Sequence, residues 1–187
     1  MNTMNTYAAH QTQKTRIGAW LPTLIGLALI SASTPSALAD DKRAPEVPDD
    51  IAVESGNRVH FHGFGVGVQI YTWNGRDWGT AVPDAILFNA EGIVATHFAG
   101  PTWESNSGST VVGAVVQPTV TVDTNSIPWV RLQAVHTEGP GIFANTSFIQ
   151  RVNTSGGKAP STNGTVIGQV ARVPYTADYF FYRKSND

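Results

Sequence analysis

The segment VQIYTWNGRDW, residues 68–78, alternates aliphatic or β-branched side chains with polar and aromatic ones before it reaches Asn74-Gly75. A period of two is typical of a β-strand, because successive side chains point to opposite sides of the sheet. Asn-Gly favours the two positive φ angles of a type I′ turn, so the segment predicts a hairpin. One strand face, which we expect to be core, consists of Val68, Ile70 and Thr72, and the other consists of Gln69, Tyr71 and Trp73.

The rest of the chain continues this pattern, with short β-branched and aromatic runs between clusters of Gly, Pro, Asn and Ser. No segment keeps an apolar repeat of 3.6 residues over three turns, so no long helix is expected. Residues 85–88 and 93–98 predict a second hairpin, and Pro118 is expected to bend or end a strand between residues 110–116 and 120–123. Further candidate strands are residues 129–136, 146–152, 165–173 and 177–183.

These runs predict an all-β fold, a single antiparallel β-sandwich or β-barrel domain that follows a signal peptide. A short chain with about ten candidate strands has no room for crossover helices, which favours antiparallel pairing. The pattern does not distinguish a sandwich from a barrel. We assign residues 1–39 to the signal peptide, residues 40–50 to a flexible lead-in and residues 51–187 to the all-β domain.

The predicted signal peptide has three zones. Lys14 and Arg16 stand in a stretch without acidic residues, and residues 17–30 are apolar but shorter than the roughly 20 residues of a membrane-spanning helix. The sequence Ser-Ala-Leu-Ala at residues 36–39 then provides small side chains at alternate positions, so cleavage is expected after Ala39. The localisation we predict is secreted or periplasmic, and an uncleaved membrane anchor is the alternative.

Composition excludes several classes of partner. The first 39 residues hold two of the 12 basic residues and none of the 14 acidic ones, which leaves ten basic against 14 acidic residues, a formal charge of −4. Such a surface disfavours nucleic acid, whose phosphates bind Lys and Arg. The chain has no cysteine, so it has neither a disulfide nor a lipid-anchor site. We expect no cofactor and no stable membrane insertion after cleavage, and the oligomeric state stays open.

Two segments carry candidate functional residues. Gln69, Tyr71 and Trp73 combine an amide with aromatic rings, which suits a carbohydrate or another polar ligand with an apolar face; a second sheet packed there is the alternative. In HFAGPTWE, residues 97–104, His97 is a candidate base with Glu104 as its acidic counterpart, and Trp103 is a candidate pocket wall. The competing interpretation is a plain turn with Trp103 in the core.

Three further features have plainer interpretations. His60 and His62 have the spacing of metal ligands on one strand face, but no acid follows before Asp77, so no metal site is expected. The glycines of residues 63–67 precede a strand instead of a helix, which excludes a dinucleotide loop. Arg151 and Asp178 are expected to form a structural ion pair, because an unpaired buried charge is costly.

Five motifs resemble one family: GVQIY at residues 67–71, HFAGPTWE at 97–104, IPW at 127–129, QRVNTSGG at 150–157 and VPYTADYFFY at 173–182. The family is one of uncharacterised secreted bacterial and fungal proteins of unknown function, some with cysteines that this chain lacks. The resemblance implies no established activity. The residues that it implies lie together are Gln69, Tyr71, His97, Trp103, Glu104, Trp129, Arg151 and Asn153.

We therefore expect a binding or surface-interaction module for a carbohydrate or a small polar ligand. The ligand-binding residues would be Gln69, Tyr71, Trp73, Trp103, Trp129, Arg151 and Asn153. The first alternative is an extracytoplasmic hydrolase or lyase that uses His97 and Glu104. The second is an envelope protein without a small ligand.

Overall fold

The computed structural model describes residues 42–185, whose strands form one closed antiparallel barrel. Each strand pairs with its sequence neighbours, and the last strand pairs with the first. Within these residues the helical element is a 3₁₀ turn, Asp49–Ile51, and no helix is long and apolar enough to cross a membrane. The strands are β1 Asn57–Thr72, β2 Val82–Asn89, β3 Gly92–Phe98, β4 Thr102–Ser105, β5 Thr110–Val120, β6 Trp129–Glu138, β7 Thr146–Gly156 and β8 Val170–Lys184.

The prediction of a single antiparallel all-β fold is confirmed, and the architecture is a barrel. The ring closes along the two longest strands, β1 and β8, whose pairing runs from Asn57 opposite Lys184 to Thr72 opposite Val170. Because the ring is closed, each of the eight described strands has a neighbour on both sides, which removes the exposed edge of an open sheet. The predicted signal peptide lies outside the described residues.

Several predicted strand boundaries were wrong. The chain reverses at Asn74-Gly75, but the expected hairpin is reduced to one bridge between Trp73 and Trp78, because β1 pairs with β2 and β8 instead. Pro118 does not divide β5, which accommodates it with a register irregularity beside β6. The hairpin of β2 and β3 is confirmed.

The core face of β1 is the opposite of the expected one. Gln69, Tyr71 and Trp73 are buried, whereas Val68 and Ile70 are only half-buried. The period of two was therefore right, but the buried side carries the amide and the rings. The physical reason is that this end of the barrel holds polar groups inside, while the aliphatic side chains lie on the outer surface.

The inner face of β1 is rich in glycine, which makes room for the aromatic residues of β8. Gly63 and Gly65 are buried on that face, and the Tyr179 ring of β8, which has no solvent exposure, fills the space beside Gly65. The space beside Gly63 is filled by Leu87 and Phe61. An eight-stranded barrel has an interior just wide enough for side chains or one small ligand. Glycine on one strand therefore offsets large rings on its neighbour.

Phe143 closes one end of the barrel. This residue comes from the β6–β7 connection, is fully buried, and packs its ring 4.7 Å from Phe181 and 5.8 Å from Phe61 (centroid distances). Its backbone N–H donates a hydrogen bond to Ser109 Oγ at 3.3 Å. This end of the interior is filled with aromatic rings, so any internal space lies towards the other end.

A second apolar cluster lies on the outside of the barrel, beneath the segment that precedes β1. Ile51 is fully buried there against Val152 and Phe180, and Val47 packs at its margin. The amide of Gln150 donates a hydrogen bond to the Ile51 carbonyl oxygen at 2.6 Å. Val47 belongs to the expected flexible lead-in, so part of that segment contacts the barrel wall.

Gly65→Ala tests whether the absence of a side chain on β1 makes room for an aromatic ring of β8. An added Cβ would lie 2.6 Å from Cε2 of Tyr179, so the ring would have to move, and we expect a loss of about 1–3 kcal/mol in the free energy of unfolding. Gly79→Ala is the matched control, because its Cβ would meet nothing closer than the Thr72 carbonyl oxygen at 3.4 Å. Urea titration measures both, and equal stability of the two variants would contradict this account.

Candidate functional site

The barrel encloses a cavity of about 390 Å³ at the end opposite Phe143. It opens where β2 and β4 begin and β3 ends, and its volume lies at the small end of the roughly 300–1,000 Å³ typical of small-molecule sites. Its wall is mainly apolar. The lining residues are Gln69, Thr80, Ala81, Val82, Pro83, His97, Gly100, Pro101, Trp103, Val115, Val130, Leu132, Arg151 and Tyr179.

Gln69 of β1 is 2 % exposed and lines this cavity. Burial raises the pKa of Tyr175 and the nearby Gln69 side chain opposes that change. Gln69 Nε2 nevertheless makes no hydrogen bond of ordinary geometry within the described residues. A buried amide without a partner costs stability. Packing alone therefore does not account for an amide at this buried position.

His97 and Trp103 form a stacked pair in the wall. Their ring centroids are 4.2 Å apart and the planes differ by 2°, since residues 97 and 103 lie opposite each other on β3 and β4. His97 Nδ1 lies 2.9 Å from the Thr102 carbonyl oxygen. Because a carbonyl oxygen only accepts, Nδ1 carries the proton and Nε2 of the neutral ring is an acceptor. Trp103 Nε1 is buried without a hydrogen-bonding partner in residues 42–185.

Arg151 of β7 supplies the positive charge of the cavity. Its Nη2 donates a hydrogen bond to the Pro128 carbonyl oxygen at 2.9 Å, while Nε is buried and lacks a partner among the described residues. Tyr179 lies opposite Arg151 in the β7–β8 register, and its hydroxyl is 3.0 Å from that of Tyr175. The tyrosine pair and the guanidinium thus form the polar part of the site.

Burial keeps the other ionisable groups of the cavity neutral. It lowers the pKa of His97 from 6.5 to about 3, with the charge of Arg151 acting in the same direction. Burial also raises the pKa of Tyr179 well above 10, although Arg151 opposes that change. Within the described part of the chain, Arg151 is consequently the one lining residue that is charged at neutral pH.

The structure brings four of the candidate residues together and separates the others. Gln69, His97, Trp103 and Arg151 line the cavity. The remaining candidates lie elsewhere. Tyr71 donates a hydrogen bond to the Gly157 carbonyl oxygen at 2.6 Å, and Trp73 packs edge-on against Trp78. Trp129 borders the outer cluster, Asn153 is exposed and hydrogen-bonded to Asp178, and Glu104 is exposed on β4.

Glu104 and His97 lie on opposite sides of the barrel wall. The burial of β4 alternates, so Trp103 faces inwards and Glu104 outwards, and Glu104 lies opposite Thr96 in the register, not opposite His97. The acid is thus outside the cavity that His97 lines. An acid and base pair cannot act on one bound molecule in this arrangement, because each must reach the same reacting group.

The predicted ion pair between Arg151 and Asp178 was wrong. Asp178 Oδ1 is 2.8 Å from His62 Nε2, and its Oδ2 accepts a hydrogen bond from Asn153 at 2.9 Å. The carboxylate lies on the outer side of β8, one residue before the inward-facing Tyr179. Arg151 consequently lies at the cavity with no acidic partner among residues 42–185.

Sequence reasoning missed Tyr179, which completes the polar group. The signal was present, since residues 175, 177, 179 and 181 alternate with polar or outward residues along β8. Sequence reasoning places most of the motif VPYTADYFFY in candidate strands but does not divide its residues between the two strand faces. Among the described residues, no three His, Asp or Glu side chains converge as metal ligands.

The family of the chain is shown by its sequence. A family model described as "Protein of unknown function (DUF3455)" matches residues 87–183, more than half of the chain, so the chain belongs to that family. The match includes the motifs from residue 97 onwards and excludes GVQIY. No curated protein and no solved structure matches the chain.

The buried imidazole predicts that stability falls in mild acid. Between pH 6.5 and about 3 the unfolded chain binds a proton at His97 that the folded chain excludes, so the free energy of unfolding decreases as pH falls, by up to ~1.4 kcal/mol per pH unit. His60, whose pKa burial lowers to about 4, adds to this. Urea titrations between about pH 7 and about pH 5 avoid most carboxylate titration.

His97→Gln should remove the contribution of about one proton to the pH dependence of stability, so the free energy of unfolding should change less steeply with pH. His136→Gln is the matched control, because the side chain of His136 is 61 % exposed. An unchanged slope in His97→Gln would contradict the prediction. The comparison uses slopes because the substitution also changes stability at neutral pH.

Proposed function

We propose that this DUF3455 protein is a binding protein that holds a small molecule in the open end of its barrel, a carbohydrate or another small polar ligand with an apolar face. The observation that carries the proposal is the 390 Å³ cavity, on whose lining residues three buried side-chain nitrogens have no hydrogen-bond partner within residues 42–185. Evolved interiors rarely leave such donors unsatisfied, and binding sites are a common exception.

The construction of the wall supports a binding role. Trp103 and Tyr179 present rings 5.6 Å apart at 67°, and His97 is stacked on the indole. Rings packed in this way are fixed before a ligand arrives, so little conformational entropy is lost on binding. A ligand would therefore meet a preformed surface.

The alternative of a hydrolase or lyase based on His97 and Glu104 loses its main support. The two side chains lie on different sides of the wall. The low pKa of His97, about 3, also makes its imidazole a weak base near neutral pH. Binding without chemistry is the function that this geometry favours.

Filling the mouth of the barrel tests the proposal. Val115 lines the cavity and is 45 % exposed, so Val115→Trp should place an indole in the opening. Compounds from a panel of glycosides and small polar molecules that raise the Tm of the wild-type protein should raise that of the variant much less. Differential scanning fluorimetry across the panel is the measurement.

Val135→Trp is the matched control, since this valine is 61 % exposed and does not line the cavity. It should leave every ligand-induced change in Tm intact. Equal responses of the two variants would place binding elsewhere, and a panel that leaves the wild-type Tm unchanged throughout would remove the proposal.

We also propose that the protein acts outside the cytoplasm, secreted or in a periplasm. The support is the three-zone leader with its Ala-Leu-Ala end at residues 37–39. After expression of the full chain in a bacterial host, N-terminal sequencing of the exported protein should give Asp40 as the first residue.

Ala39→Gln should block cleavage, because a larger side chain does not fit the small-residue site. Ala8→Gln, in the polar part of the leader, is the control and should be processed normally. Full-length protein in the cytoplasm for all three versions would contradict export.

A further inference from the structure

We infer that the preferred ligand is a small carboxylate with an apolar body, whose anionic group is bound by Arg151 and whose body lies against Trp103 and the aliphatic wall. This inference rests on the proposed binding function and narrows it to one chemical class. It follows from three independent features of the cavity: its unpartnered groups, its charge and its apolar surface.

The buried side-chain groups of the cavity residues that have no partner in the described part of the chain are all donors. They are Nε2 of Gln69, Nε1 of Trp103 and Nε of Arg151. Gln69 and Trp103 are at least 98 % buried, so these N–H groups cannot be satisfied by surface solvent in the ordinary way. A carboxylate is acceptor-only and presents about four lone-pair positions, which makes it the natural complement of several donors.

The cavity has a single net positive charge. Asp178, the acid nearest to Arg151 in the sequence register, is committed to His62 and Asn153 on the outer side of the wall. The lining of the cavity holds no Asp or Glu among the described residues. A partly buried guanidinium without a counter-ion is costly, and a bound monoanion would supply that counter-ion.

The remainder of the wall matches an apolar body. Val82, Pro83, Val115, Val130 and Leu132 offer no side-chain hydrogen-bonding groups. A sugar carries hydroxyl groups all round its ring, which need acceptors as well as donors, so much of its surface would lose hydrogen bonds to water here. An aromatic or alkyl body with one anionic end leaves fewer groups unsatisfied.

Matched acid and amide probes test the inference. Phenylacetate and octanoate should bind the wild-type protein at least about tenfold more tightly than phenylacetamide and octanamide, which have the same shapes without the charge. Isothermal titration calorimetry gives the affinities. The indole N–H resonance of Trp103 in an NMR titration, assigned with Trp103→Phe, reports whether the probe occupies the cavity.

Arg151→Gln should reduce the affinity for the acids by about tenfold or more while changing that for the amides by less than about threefold. Arg58→Gln is the control, because Arg58 is exposed near the start of β1, far along the strand from Gln69. It should leave all affinities unchanged. An equal loss in both variants would indicate non-specific attraction and would overturn the inference.

The outcomes separate this inference from the proposed function. Amides that bind as tightly as acids, or glycosides that bind in a Val115-dependent manner when neither acid binds, would overturn the carboxylate and leave the binding protein standing. No binding of any probe, charged or neutral, would remove both. Acid-selective binding that depends on Arg151 supports both.

Discussion

The pairing of β1 with β8 is the interaction on which the rest of the structure depends. It joins the two ends of the sheet, and it does so between a strand with glycines on its inner face and a strand with aromatic rings on its inner face. The barrel therefore depends on small inward-facing residues on β1 and large inward-facing residues on β8. Larger residues on β1 would collide with Tyr179, and smaller residues on β8 would leave the interior of the barrel underfilled.

The cavity is a consequence of how the interior is divided. Rings from β1, β8 and the β6–β7 connection fill one end, and Trp103 stands between that cluster and the open space, 5.7 Å from Phe181 on one side and stacked on His97 on the other. The indole therefore links the stability of the core to the geometry of the site. A neutral His97 suits this position, because a second cation beside Arg151 would be unfavourable at so buried and mainly apolar a wall.

Local patterns predicted the strand class and the β2–β3 hairpin, because these depend on periodicity and turn residues that neighbouring positions display. Four of the candidate site residues line the cavity, and their role as a site stays a prediction. Closure was not predictable, since it pairs Asn57 with Lys184 across almost the whole described chain. The reversed face of β1 has a similar origin. The local sequence gives no sign that Gln69 is buried, because the strands that enclose it are distant in the sequence. Glu104 was misjudged for the opposite reason, since β4 is a strand of four residues whose alternation turns it away from its neighbour Trp103.

The outer cluster has a consequence for how much of the chain makes a stable unit. Ile51 and its flanking residues cover a strip of wall that includes Val152, Phe180 and Tyr182, and the Arg131 guanidinium holds the Ala52 carbonyl oxygen beside it at 2.5 Å. A shortened version that started at β1 would keep the ring of backbone hydrogen bonds but expose these apolar side chains of β7 and β8. Exposed apolar surface of this kind favours self-association, so the segment that precedes β1 covers a strip of wall that would otherwise be a site of aggregation.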